Sequence, residues 1–252
     1  MHEQSKASER VSRRGFLANA GKVAAAAGIG AVSLGGIASA QTTQPSGTAA
    51  YPWPYKKVDP EKVYWNGVDL YGKWGCGQGS FQALLTEIGE PFNTIPPSIL
   101  KFGEGGVSGW GSHCGALLGS SAIISLVTGG SPESGQMIKE LTGWYTEFIG
   151  SGSPLCHVSV TEWSKANGVK VESDERKARC ARVTGETAKK AAMLLNAWAD
   201  TKSVVSTFGP RATVVECQSC HGANGMGQVR AGVLQDCVPC HTDQPHSRKK
   251  PS

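Results

Sequence analysis

The stretch CQSCH at residues 217–221 returns as CVPCH at 237–241, and this pair constrains the chain more than any other feature. Each copy sets two thiols three residues apart, with an imidazole directly after the second. Zinc ribbons also use paired C-x-x-C knuckles, and the spacing of Cys217, Cys220, Cys237 and Cys240 satisfies that template. A zinc ribbon has no use for a histidine after each second cysteine. Covalent haem attachment requires one: the thiols add to the porphyrin vinyl groups, and the neighbouring imidazole falls under the iron. With 6 histidines in 252 residues, chance would place both only about once in 1,700 sequences. The pattern therefore reads as two c-type haems per chain, with His221 and His241 as proximal ligands. Zinc and plain disulfides are the alternatives.

Two haems in about forty residues cannot each have a private helical core, so they must lie against one another, the main domain or another chain. The connection GANGMGQVRAGVLQD, with four glycines, permits close approach of the rings. Each iron needs a sixth ligand. The candidates are His113, His157 and His246, with Met137, Met193 and Met226 as thioether alternatives.

The N-terminus reads as an export signal. SRRGFLANAG precedes the apolar run KVAAAAGIGAVSLGGIA, which closes on ASA before Gln41. The pair Arg13-Arg14 fits the twin-arginine pattern, which implies a periplasmic protein folded before export around a cofactor inserted in the cytoplasm. No second apolar stretch follows, so no membrane span is expected once the signal is removed. Residues 1–40 carry five of the 25 basic and two of the 20 acidic side chains, leaving 20 against 18. So near-neutral a balance gives no basic face for nucleic acid.

Four domains follow: the twin-arginine signal at 1–40; an extended, Pro/Ser/Thr-rich arm at 41–60, wrapping a neighbour or loose; a helical domain at 61–209; and a dihaem module at 210–252. The fold class is mainly α: a glycine-rich helical domain with a small C-terminal module. YGKWGCGQGS and KFGEGGVSGWGSHCG read as loops around a compact object. Helices are expected in SFQALLTEIG and CGALLGSSAIISLVTGG. A further one is expected in SPESGQMIKELTGWYTEFIG, whose core stripe is Met137, Ile138, Leu141, Trp144, Tyr145 and Phe148. The long DERKARC…TKS region reads as a helix interrupted or kinked near Thr184-Gly185, and CHVSV as the best strand signal.

Cys76, Cys114, Cys156 and Cys180 form no C-x-x-C pair, and in an exported protein two disulfides are the default. Three observations favour an iron–sulfur cluster: the glycine-rich surroundings of Cys76 and Cys114, the count of four thiolates, and twin-arginine export. GSHCGALLG, with Cys76 upstream and Cys156 and Cys180 downstream, is similar to the redox-protein family named for its C…G-C-A-x-x-G…C…C pattern; Gly115 stands where that pattern has a neighbouring small residue. With the signal and the doubled C-x-x-C-H, the whole resembles the split-Soret cytochromes c. The resemblance implies a periplasmic homodimer with two stacked, bis-His haems per chain near the interface. It also implies haem ligation that crosses the dimer interface, and an iron–sulfur centre on Cys76, Cys114, Cys156 and Cys180. The function expected is electron transfer to periplasmic redox partners, with no substrate transformed. The alternative is a reductase using an open-site haem or the cluster, and a weaker third reading is a disulfide-bonded scaffold carrying two haems.

Overall fold

The computed structural model describes residues 50–210, 212–221 and 234. Residues 1–40, the second C-x-x-C-H motif with Cys237, Cys240 and His241, Met226 and His246 lie outside the described residues, as does the side chain of Cys220.

Helix α1, Pro60–Ile88, begins where the Asp59 carboxylate accepts the Glu61 N–H at 2.9 Å and Pro60 occupies a first-turn position that needs no N–H. It is broken at Gly75, whose φ of 72° lies in the left-handed region that glycine tolerates. Two short 3₁₀ segments follow, Phe92–Thr94 and Pro97–Gly103. Helix α2, Gly115–Thr128, ends on Gly129 in a left-handed cap. Helix α3, Pro132–Trp144, runs into a π turn, Tyr145–Ile149. Helix α4 is Cys156–Asn167, and α5, Asp174–Thr201, starts where Ser173 Oγ accepts the Arg176 N–H at 3.2 Å. Helix α6, Ala212–His221, carries the first C-x-x-C-H motif. Among the described residues the one extended pairing is an isolated antiparallel bridge between His113 and Leu155.

Helix α1 packs along α5 and across α2. Phe81, Leu84, Leu85, Leu117, Ile123, Ile124, Met137, Leu141 and Leu195 are fully buried between these helices and α3, each worth about 1.5–3 kcal/mol of hydrophobic stabilisation. The α1/α5 crossing is a backbone contact: a Cβ on Gly185 would stand 2.6 Å from Tyr64 O, and one on Gly67 would stand 2.8 Å from Gly185 Cα. Among the described residues no helix is long and apolar enough to cross a membrane.

Several expectations are corrected here. CHVSV is the start of α4, not a strand: the chain turns into a helix immediately after the bridge at Leu155, and β-propensity gives way to the packing of Ser159 and Ser164 inward. YGKWGCGQGS is the middle of α1, broken only at Gly75. Helix α5 runs unbroken through Thr184-Gly185, where the glycine serves close approach instead of a kink. Phe148 is 68% exposed because the π turn rotates it off the Met137–Leu141–Tyr145 stripe, and Met193 is 49% exposed, not a core residue. Residues 50–59 of the arm fold onto their own domain. Tyr55 donates to Asn196 Oδ1 at 2.8 Å, Val58 N–H donates to the same oxygen at 3.1 Å, and Trp53 packs edge-on against Phe92.

Candidate metal centre

Four elements each deliver one cysteine to a single cavity of about 1030 Å³. Cys76 follows the Gly75 break in α1, Cys114 precedes α2, Cys156 opens α4, and Cys180 lies in the second turn of α5. None of the four is in a disulfide in this structure. Tyr71, Tyr145, Ser159, Arg176 and Arg179 line the same cavity.

Two crossing segments hold Cys114 and Cys156. Cys114 N–H donates to Pro154 O at 2.9 Å, Cys156 N–H to Ser112 O at 2.6 Å, and His157 N–H to Gly111 O at 3.0 Å. The loop leading into this clip carries a run of left-handed residues, including the β-branched Val107 at φ 65°. Such an outlier costs of order 1–3 kcal/mol and persists only where its surroundings enforce it. Here the enforcing contacts are Ser108 N–H to Phe102 O at 2.6 Å and Ser112 N–H to Gly106 O at 2.9 Å.

Burial pushes the Cys76 thiol up to about 12, helped by repulsion from Cys114 and Cys156, and pushes Cys156 up to about 11, helped by Cys114 and Cys180. Burial raises Cys114 as well, against the Tyr145 hydroxyl and the Ala116 and Leu117 N–H groups, which favour its thiolate. As free thiols these groups hold their protons at neutral pH. A cation placed among them would displace the protons and be held by thiolates.

Among the described residues no three His, Cys, Asp or Glu side chains are drawn tightly enough to hold one metal ion. The thiols surround a volume instead of a point. Four soft sulfur donors are the usual complement of an iron–sulfur cluster and equally of a single thiophilic ion, and the donor set fits either. Glycine makes the room: a Cβ on Gly115 would stand 2.6 Å from Cys76 Sγ and 2.3 Å from Gly103 O.

His113 and Cys114 are successive residues of the extended segment, so their side chains leave on opposite sides. Cys114 faces the thiol cavity. His113 lines a second cavity of about 370 Å³ with Ile138, Gly143, Phe208 and Leu234. Burial lowers the His113 pKa, which keeps its ring neutral, the form that ligates iron. His157 is exposed, and its Nδ1 lies 2.7 Å from Gly111 O. A carbonyl can only accept, so Nδ1 carries the proton of this bond, and Nε2 is the ring nitrogen left for a ligand. Metal-binding imidazoles are commonly oriented by such a bond. Cys217 and His221 lie four residues apart on α6, hence on one face, and both are half-buried.

Tyr71, Arg176 and Arg179 carry no expectation from the sequence, and Tyr145 is expected there only as a core residue, not as part of a site. Arg179 had a legible signal: it sits on the buried α5 stripe of Val183, Thr187 and Ala191 at four-residue spacing, where a charge requires a partner.

An all-helical domain gathering four unpaired cysteines onto one cavity defines a thiol-based redox domain, and residues 74–194 match the family described as "Putative redox-active protein (C_GCAxxG_C_C)". Over 278 aligned positions the chain is 32% identical to split-Soret cytochrome c of Desulfovibrio desulfuricans, covering 95% of this chain and 98% of that relative. The solved structure described as "A novel iron centre in the split-Soret cytochrome c from Desulfovibrio desulfuricans ATCC 27774" superposes with a TM-score of 0.68 at 32% identity, over 79% of this chain and 93% of that one. The chain belongs to the split-Soret cytochrome c family.

Proposed function

We propose that this protein is a periplasmic electron carrier, exported by the twin-arginine route, that relays electrons between an iron–sulfur centre and two covalent haems. The observation that carries the reading is the convergence of four free thiols from four elements onto one cavity, with Cys114 in it and His113 on the other side of the same strand. Cys76, Cys114, Cys156 and Cys180 hold the centre. Cys217 and Cys220, and Cys237 and Cys240, attach the haems, with His221 and His241 as proximal ligands.

Bound iron supplies one-electron chemistry at potentials set by its surroundings. The residues of the chain position and insulate it. The α1 break turns Cys76 inward, the crossed segments fix Cys114 and Cys156, and the packing buries Cys114 while leaving Cys76, Cys156 and Cys180 half-buried. His113 and His157 are the distal haem ligands this geometry favours, the first by its neutral ring and cavity, the second by the Nε2 left for a ligand. Each is a sequence neighbour of a centre ligand, which gives a route of a few bonds between the two kinds of cofactor. The small haem module and the exposed His157 fit a homodimer in which a partner subunit supplies part of the haem environment.

Cys114→Ser is the test. Haem content should stay at the wild-type level while non-haem iron and its visible absorption fall away. Wild-type non-haem iron in the variant would reject the ligand assignment. The size and opening of the thiol cavity, about 1030 Å³, favour a second reading, a reductase that binds a small oxidised molecule beside the centre. A high-spin haem in the resting protein, or turnover at the non-haem centre, would favour that reading.

A further inference from the structure

Arg179 is a buried cation, 5% exposed, without a carboxylate. Among the described residues its partners are Ile149 O and Ser159 Oγ, each 2.7 Å from its Nη2, and the Trp163 ring at 5.9 Å. Every ion pair among those residues involves other side chains. A buried charge left uncompensated costs several kcal/mol, so an arginine in this position calls for a nearby anion.

The hydrogen bonds lead to one. Ser159 is 1% exposed, and its hydroxyl lies 3.3 Å from the Tyr145 hydroxyl. Tyr145 is fully buried and lines the thiol cavity together with Cys114, Ser159 and Arg179. Arginine has no acceptor, so Arg179 N–H donates to Ser159 Oγ; the Ser159 proton is then free for Tyr145 Oη, and the Tyr145 proton is free to turn into the thiol cavity. The π turn Tyr145–Ile149 serves both ends, aiming the Tyr145 hydroxyl inward and offering Ile149 O to Arg179. Such turns recur at functional sites. A Cβ on Gly150 would stand 2.4 Å from the Tyr145 ring, so this ring position depends on the glycine that ends the turn.

We propose that Arg179, acting through Ser159 and Tyr145, is a positioning and counter-charge residue that raises the reduction potential of the centre held by Cys114 and its three fellow ligands. The inference rests on the reading of the cysteine cavity as an iron–sulfur site. Reduction adds one electron, delivered by a redox partner or by the haems, and one unit of negative charge to the centre. No protein bond forms or breaks. A one-way row of donors ending in a buried cation favours the more negative state.

The experiment is a redox titration of purified holoprotein, following the non-haem centre and the haems separately, for wild type, Tyr145→Phe, Arg179→Met and Arg179→Lys. Tyr145→Phe and Arg179→Met are expected to disfavour the reduced centre by about tenfold or more, equivalent to 59 mV or more downward for one electron. Arg179→Lys, which keeps the charge, should recover at least half of that shift, and the haem potentials should move far less than the centre. Tyr145→Phe keeps the ring volume, so it decides the matter if Arg179→Met fails to fold. Iron retained at the wild-type potential in Tyr145→Phe would overturn the inference, as would haems and centre shifting together. Absence of non-haem iron from the wild-type protein would overturn the reading of the cavity itself, before any variant is compared.

Discussion

Replacing Gly185 by alanine tests whether backbone contact at the α1/α5 crossing sets the spacing of the thiol site. On propensity alone the change should stabilise a helix interior by about 1 kcal/mol. The structure reverses the sign. The new Cβ would stand 2.6 Å from Tyr64 O and 2.9 Å from Val68 Cγ2, so α1 must move away. Overpacking of this kind costs about 1–3 kcal/mol; because it is backbone that must give, the upper part of that range applies, and the net loss is about 1–2 kcal/mol. Gly72→Ala is the matched control: Gly72 is also inside α1, and its Cβ would meet nothing within 4 Å. It should gain up to about 1 kcal/mol. Urea unfolding of the full chain, with unchanged m-values, should separate the two variants by about 2–3 kcal/mol. Cys76 and Cys180 lie on the two helices forced apart, so Gly185→Ala should also bind less non-haem iron. Equal stability of the two alanine variants would refute the close-contact argument.

Iron loading of the apoprotein should strengthen with pH. Cys76 and Cys156 titrate near 12 and 11, so both are protonated between pH 6 and 9 and each gives up a proton on loading. Affinity should then rise by at least about a hundredfold per pH unit from these two thiols alone, measured by competition with a chelator; a flat profile would contradict buried thiols. Those same raised values stabilise the apo fold below the ordinary thiol pKa, and that contribution should fade as pH climbs toward 11–12. Glu140 clamps the segment leading to α6: its Oε2 accepts Thr207 N–H at 2.8 Å and Thr207 Oγ1 at 3.0 Å. Burial opposes its ionisation, but these bonds and Lys190 hold its carboxyl below the usual range. Glu140→Gln should cost about 1–3 kcal/mol at pH 7, and the difference from wild type should shrink as pH falls below 4, since wild type then protonates too. His157→Ala, at an exposed position, should leave the unfolding midpoint nearly unchanged but convert one haem from low to high spin. Retention of two low-spin haems would remove His157 from the ligand set.

The stripes that built the core were legible because their spacing is a direct consequence of helical geometry. Met137, Leu141 and Tyr145 lie where the pattern places them. Phe148 does not, because one π turn shifts the phase by a residue and nothing local in the sequence announces it. The four cysteines could be grouped by number and setting, although their convergence depends on helix packing that no short window reveals. The glycines were noticed but given the wrong task in two places. YGKWGCGQGS is helix around a single break, and Gly185 permits contact instead of a kink. CHVSV misled because a β-branched alternation four or five residues long is also compatible with the first turn of a helix. The Ser159–Tyr145 contact gave no signal at all: a hydrogen bond between residues 14 apart exists only once α3 and α4 are packed together.

The central claim is tested most directly by counting haem, total iron and acid-labile sulfide per polypeptide in protein purified from its native host. The account predicts two haems together with iron in excess of the haem iron and labile sulfide to accompany it. Two haems with no excess iron and no sulfide would contradict it, leaving Cys76, Cys114, Cys156 and Cys180 as thiols around an empty cavity and the protein as a dihaem carrier alone.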